Sequence, residues 1–204
     1  MPTPNRLRVW DLFVRLFHWS LVAAFFVAWF STESIGWVHK GAGYLTLALV
    51  AARVVWGFIG SRHARFGSFV PRPRQLAGYL SALSRGREPR HLGHNPAGAV
   101  MILGLMAAVV GIGVTGWMMT LDAFWGNETV ETLHTTLVDV TLVAIAVHVL
   151  ANVVGGLRHG ENLVLSMVTG DKPTTTAKPH AAPAAPAGRG RAGDTAAPPP
   201  QPTA

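Results

Sequence analysis

Four stretches of the chain are apolar almost without interruption: Leu12 to Phe30, Gly41 to Gly60, Ala99 to Met119 and Leu133 to Gly155. Each approaches or exceeds the roughly 20 residues a helix needs to cross a bilayer. The pattern therefore predicts an all-α integral membrane four-helix bundle. The first run is long, carries Arg15 and His18 and has no small-residue cleavage site before Glu33, so it is expected to remain as a span and not to be removed as a signal peptide. Polar segments separate the runs. Between Ser61 and Asn95, Pro71, Pro73 and Pro89 break the loop into short pieces, and a surface helix over Gln75 to Leu83 would set Leu76, Tyr79, Leu80 and Leu83 on one side. After the fourth run, Glu161 to Val168 predicts a short amphipathic helix on the cytoplasmic face, ended by Gly170. From Asp171 to Ala204 the chain is mostly Ala, Pro, Thr and Gly, which cannot bury a core. The expected organisation is a membrane domain over 1–170 and a disordered tail over 171–204, with His180 solvated or, as a lone tail histidine, available to a metal.

Charge gives the runs a direction. The formal net charge is +7, and Arg62, Arg65, Arg72, Arg74, Arg85, Arg87 and Arg90 fall between the second and third runs beside one acid, Glu88. Arg6, Arg8 and Arg15 lie at the N-terminus and Arg158 follows the fourth run, whereas the opposite loops hold Glu33, Lys40, Asp122, Glu128 and Glu131. The positive-inside rule then puts both termini and the Arg-rich loop in the cytoplasm. A nucleic-acid surface would have no reason to alternate with membrane crossings, so none is expected. Trp10, Trp29, Trp37, Trp56, Trp117 and Trp125 fall near the run ends, as an aromatic belt would place them. The chain has no cysteine, which excludes thiolate metal sites, disulfides and haem attached through thioethers.

The histidines carry the chemistry. His134 and His148 are fourteen residues apart in one run, which returns a helix to within about 40° of the same face and separates the rings by roughly 21 Å. Ionisable residues within membrane segments are candidates for function by default. His18 in the first helix matches the depth of His148, and His39 at the outer start of the second matches His134. Two depth-matched pairs, His18 with His148 and His39 with His134, suit two non-covalent b-type haems stacked across a bilayer. Two imidazole ligands leave the iron no open position, which favours electron transfer over oxygen chemistry. A single membrane histidine can equally hydrogen-bond to a neighbouring helix; the pairing in depth is what favours ligation.

Other residues have two readings each. Arg15, three residues before His18, can meet a haem propionate or snorkel as a topology charge. Arg53 is deeper and costly unless it snorkels or meets a carboxylate, such as a propionate. Gly41 and Gly43 would let a flat macrocycle approach, whereas Gly104, Gly111, Gly113 and Gly116, with Ala107 and Ala108, suit close helix packing. His91 and His94 can assist a propionate or a quinone head group, with loop and N-cap roles as the plainer reading; His63 and His159 read as surface residues. Asp139, about 140° around the helix from His134, is expected to face another helix, with a proton path as the other reading. No catalytic residue stands out.

Taken in order and spacing, Arg15-Leu-Phe-His18-Trp19, Trp37-Val-His39-Lys40-Gly41, Gly93-His94-Asn95-Pro96, Leu133-His134, Val147-His148 and Arg158-His-Gly-Glu-Asn-Leu resemble the bacterial cytochrome b561 and nickel-hydrogenase cytochrome b family over residues 6 to 173. The resemblance implies a multi-pass inner-membrane protein of a respiratory chain, with haem ligands from helices 1, 2 and 4. It also implies an electron-transfer subunit of an oxidoreductase complex, linking membrane quinone to a periplasmic hydrogenase, another dehydrogenase or a c-type cytochrome; some members act alone as superoxide:quinone oxidoreductases. The brief outer loops put a soluble c-type cytochrome on at least equal footing with a hydrogenase. The alternative is a membrane anchor or adaptor that holds a redox complex with one structural haem or none. A metal-ion transporter is weaker, since no acidic cluster joins the histidines at one depth.

Overall fold

The computed structural model describes residues 6–32 and 35–173. His180, Glu33 and the expected tail from residue 174 onward lie outside them. Four long helices, α1 (Leu12–Phe30), α2 (Gly36–Ile59), α5 (Pro96–Met118) and α6 (Glu128–His159), contain the four apolar runs. Between the second and third of these lie α3 (Phe66–Phe69) and α4 (Pro73–Ser84), and α7 (Leu163–Thr169) follows α6. The spans start where the sequence supplies caps. Asp11 accepts from the Val14 amide at 2.8 Å, Asn95 from Gly98 at 2.7 Å with Pro96 at the first helical position, and Asn127 from Thr129 and Val130. Each carboxylate or amide oxygen satisfies an amide that has no partner within the helix. Gly160 (φ 64°) and Gly170 (φ 89°) end α6 and α7 in the left-handed region, where glycine carries no Cβ penalty.

The four spans pack in a row of contacts. α1 lies along α2, α5 along α6, and α2 against α5, whereas α1 and α6 have no comparable contact. Only Val14, Ala24 and Phe25 of α1 and Val130, Thr141 and Gly156 of α6 are buried. The outward faces carry Phe30, Phe58 and Leu150, each more than 60 % exposed. Side chains of this size in continuous bands are stable against lipid and not against water, and the chain is a multi-pass membrane protein. α1–α2 and α5–α6 turn at one end of the bundle. At the other, which is rich in arginine, lie the α2–α5 loop and the first and last of the described residues.

The arginine-rich end is closed by long-range contacts that the hydropathy pattern does not contain. β1 (Arg6–Arg8) pairs antiparallel with β2 (Asp171–Pro173), with Leu7 opposite Lys172. The expected tail boundary therefore moves: Asp171, Lys172 and Pro173 belong to the folded part. Strands this short, more than 160 positions apart, leave no local alternation to read. Val9, Trp10, Val14 and Ala64 form a core cluster with Trp56 and Met167 packed on it. Trp10 is thus an interior residue and Trp56 is half-buried against it, while Trp29, Trp37, Trp117 and Trp125 are exposed as a belt requires. Arg90 pairs with Glu161, Arg158 with Glu88 at 2.9 Å, and Arg90 also donates to the Pro173 carbonyl. These bonds tie the arginine-rich loop to the end of α6. The surface helix is three residues longer than expected, and α2 begins five residues before its apolar run, because the helix continues past the hydrocarbon.

Candidate functional site

At the end remote from the arginines, α2 presents His39 and α6 presents His134, with ring centres 6.3 Å apart and planes at 71°. Both rings are half-buried, and both are oriented by their Nδ1 atoms. His39 Nδ1 lies 2.8 Å from the Ala28 carbonyl of α1. His134 Nδ1 lies 3.0 Å from the Ile112 carbonyl and 3.0 Å from Thr115 Oγ1, both of α5. A carbonyl can only accept, so each Nδ1 carries the proton and donates it, which leaves each Nε2 with a free lone pair. Thr115 donates its own hydroxyl hydrogen to the Gly111 carbonyl at 2.8 Å, which frees its oxygen to accept from His134. Gly116 makes room for the ring, since a Cβ there would stand 3.1 Å from His134 Cε1. Gly43, one turn from His39 on the same face, has nothing within 4 Å of where a Cβ would stand.

At the arginine-rich end, α1 carries His18 and α6 carries His148, both half-buried. This pair is less tightly oriented. His18 Nδ1 is buried with no partner, and His148 Nε2 lies 3.3 Å from the side-chain amide of Asn152, which also donates to the His148 carbonyl at 2.8 Å. Arg15 Nε and Arg53 Nη1 are likewise buried and unpartnered among the described residues. Arg53 does not snorkel. It is 3 % exposed, donates through Nη2 to the Ala64 carbonyl at 3.1 Å and stands over the Phe66 ring.

At the same end, His94 lies between Trp10 and Phe69, with ring centres 4.5 and 4.9 Å away. Burial, helped by the charges of Arg53, Lys172, His148 and His63, pushes the His94 imidazole down to about 3, so it stays neutral at any physiological pH. Burial, then Lys172 and His159, also lowers His91. Neither is an N-cap; Asn95 has that role. Both line a cavity of about 530 Å³ with Phe69, Val70 and Tyr79, and His91 Nε2 and His94 Nδ1 are buried there without partners. His63 and His159 are half-buried, not surface residues.

Sequence reasoning missed Asp11, Thr115 and Asn152. Only Asp11 had a local signal, as an N-cap residue directly before an apolar run. Its carboxylate accepts from the Val14 amide, Trp56 Nε1 at 3.1 Å and the Ser61 hydroxyl. Burial alone would raise its pKa, but these hydrogen bonds and the Arg53 charge outweigh that and hold it below the usual carboxylate value.

Among the described residues no three His, Cys, Asp or Glu side chains converge on one point. The donor sets are pairs of imidazoles, which suit a metal whose remaining ligands come from a macrocycle. Residues 9–170 match the family model of prokaryotic cytochrome b561. The chain belongs to that family. A cytochrome of this type carries haem b and transfers electrons. The b561 chain is 26 % identical, over 164 residues covering 68 % of it, to a probable Ni/Fe-hydrogenase B-type cytochrome subunit of Bradyrhizobium diazoefficiens, of which it covers 66 %. It is 25 % identical over 164 residues to the protein of the same description in Rhizobium leguminosarum bv. viciae, with 68 % of each covered. The b561 chain thus spans about two thirds of the length of these relatives. No solved structure matches it.

Proposed function

We propose that the chain is a two-haem electron carrier that links a redox partner on the outer side of a bacterial inner membrane to quinone on the cytoplasmic side. It would be one membrane domain followed by a tail, with the arginine-rich end inside by the positive-inside rule. The observation that carries the reading is the His39–His134 pair. The rings stand 6.3 Å apart with both Nδ1 protons engaged and both Nε2 lone pairs free, so His39 and His134 would be the residues that hold one haem. His18 and His148 would hold the second haem, with Arg15 and Arg53 offering their unpartnered N–H groups to its propionates.

Haem supplies the one-electron couple; the side chains do the rest. The Ala28 and Ile112 carbonyls and Thr115 hold the two outer rings to one tautomer and raise their basicity. At the cytoplasmic end, the cavity beside His94 has the size and the apolar, aromatic wall of a small-molecule site, with two neutral imidazoles as its hydrogen-bonding groups. A quinone head would be held there by His91 and His94. On the outer side, the descriptions of the two relatives favour a hydrogenase, and the brief outer loops favour a small c-type cytochrome.

One observation favours the second reading, an anchor with a single haem: His148 Nε2 already faces the Asn152 amide. The haem-to-protein ratio separates the two. Purified protein is expected to hold two b haems, falling to one in His148→Ala with the far-end haem retained. One haem in the unaltered protein, unchanged in His148→Ala, would establish the anchor. Gly116→Ala is expected to press on the His134 ring and shift the midpoint potential of one haem only, as a redox titration would read.

A further inference from the structure

The two imidazoles of α6 have a hydroxyl midway between them. Thr141 is seven residues from His134 and seven from His148, and α6 is unbroken from Glu128 to His159. It therefore lies within about 20° of either ring around the helix and about 10 Å along the axis from each. Val50 and Thr141 are the largest fully buried side chains among the described residues, and Thr141 is 0 % exposed. Val50 lies on α2, eleven residues from His39 towards the arginine-rich end, so both fall between the level of His39 and His134 and that of His148. Asp139, the one acid of this run, does not face another span; it is exposed on the flank of α6.

The Thr141 hydroxyl is set apart by having no bond. Thr46, Thr115, Thr135 and Thr169 each donate to a carbonyl four positions back on their own helix, the usual way for a helical threonine to satisfy its hydrogen. Thr141 Oγ1 is buried and meets no partner among the described residues, so its O–H is free to turn about the Cβ–Oγ bond. Thr46 gives the contrast. It stands seven residues from His39 on α2 as Thr141 does from His134 on α6, but its hydrogen is held by the Ala42 carbonyl at 2.9 Å. In an enclosed layer of low dielectric, a dipole that can turn responds to a nearby charge more strongly than it would in water.

On the two-haem reading above, on which this inference rests, the midway position decides what the dipole does. A ferric site carries one positive charge more than a ferrous one. With both sites oxidised the two fields oppose each other at Thr141, and with both reduced neither site carries the extra charge. With one site reduced, the hydrogen turns towards it and the oxygen towards the oxidised site. We propose that the Thr141 hydroxyl stabilises the half-reduced protein and thereby holds the two midpoint potentials apart. The hydroxyl only turns: no proton leaves it and no bond is broken.

Potentiometric titration of the purified protein, followed by absorbance, reads this. Thr141→Val removes the hydroxyl and keeps the shape of the side chain. The constant for forming the half-reduced state is expected to fall by up to about threefold, which narrows the two midpoints by up to about 28 mV, the upper falling as the lower rises. Thr141→Ser keeps an O–H and should keep the unaltered separation. Both variants are expected to hold two haems; where valine displaces one, Thr141→Ala removes the hydroxyl without crowding and carries the same expectation. An unchanged separation without the hydroxyl, two midpoints that move in the same direction, or serine behaving as valine does overturns the inference and leaves the two-haem reading standing. One haem per chain in the unaltered protein overturns that reading and the inference with it.

Discussion

His134→Ala is expected to lower the haem content of the purified protein from two per chain to one and to stop electron passage across reconstituted vesicles. The remaining haem should keep its spectrum. His134 stands at the junction of three spans: its ring belongs to α6, its Nδ1 proton is held by Ile112 and Thr115 of α5, and it faces His39 of α2. Alanine removes the ligand yet leaves the helix intact, since the position is half-buried and alanine favours a helix. Free imidazole supplied during refilling should restore the haem, because Gly116 and the side-chain deletion leave it room. Thr115→Val provides a graded companion. It keeps the shape of the side chain but loses one acceptor for Nδ1, and loss of such a supporting bond weakens metal retention about 10–100-fold. Haem loss on dilution, followed by absorbance, measures both. Retention of both haems in His134→Ala would remove the far-end pair from the ligand set and with it the reading of that end.

The spans and the approach of His39 to His134 were legible because each signal is local. An apolar run of about 20 residues has few alternatives to a spanning helix, and a spacing of fourteen on one helix sets both face and depth. The partners of those histidines were not legible. Ala28, Ile112 and Thr115 reach the rings through backbone carbonyls or from another helix, and no spacing within the chain encodes which helices meet. The arginine-rich end shows the same limit more sharply. Trp10 and Trp56 lie where a belt would place them, yet Trp10 is buried against His94 and Trp56 donates to Asp11, because β1, β2 and α7 fold over that end. Arg53 was read as a residue needing an anion or an exit to water. It has a carbonyl and an aromatic face from the segment that directly follows α2, with Nη1 left unpartnered among the described residues.

Asp11→Ala is expected to destabilise the arginine-rich end by about 2–4 kcal/mol, combining a lost N-cap of about 1 kcal/mol with buried donors left unsatisfied. The carboxylate joins three segments: it caps α1 through Val14 and receives Trp56 of α2 and Ser61 of the following loop, with the charge of Arg53 acting on it as well. Asp11→Asn separates the cap from the rest, since asparagine can still accept from the Val14 amide through Oδ1 while its amide nitrogen cannot accept from Trp56 or Ser61; its smaller loss relative to Asp11→Ala would measure the cap. The sign of the pH dependence follows from the same contacts. Asp11 titrates lower in the folded protein than its ordinary value of 3.8, so its stabilisation is complete above that value and disappears as pH falls through the folded one. His94 acts in the same direction from higher pH. Its imidazole is lowered from 6.5 to about 3, so below 6.5 the unfolded chain takes up a proton that the folded chain refuses, and stability declines from there towards pH 3. Thermal melting in detergent from pH 7 to pH 3 should therefore show a falling midpoint whose lowest portion flattens in Asp11→Asn. A midpoint independent of pH between 7 and 4 would show that His94 takes up its proton without leaving the site between Trp10 and Phe69, and would exclude a buried neutral imidazole beside the cavity.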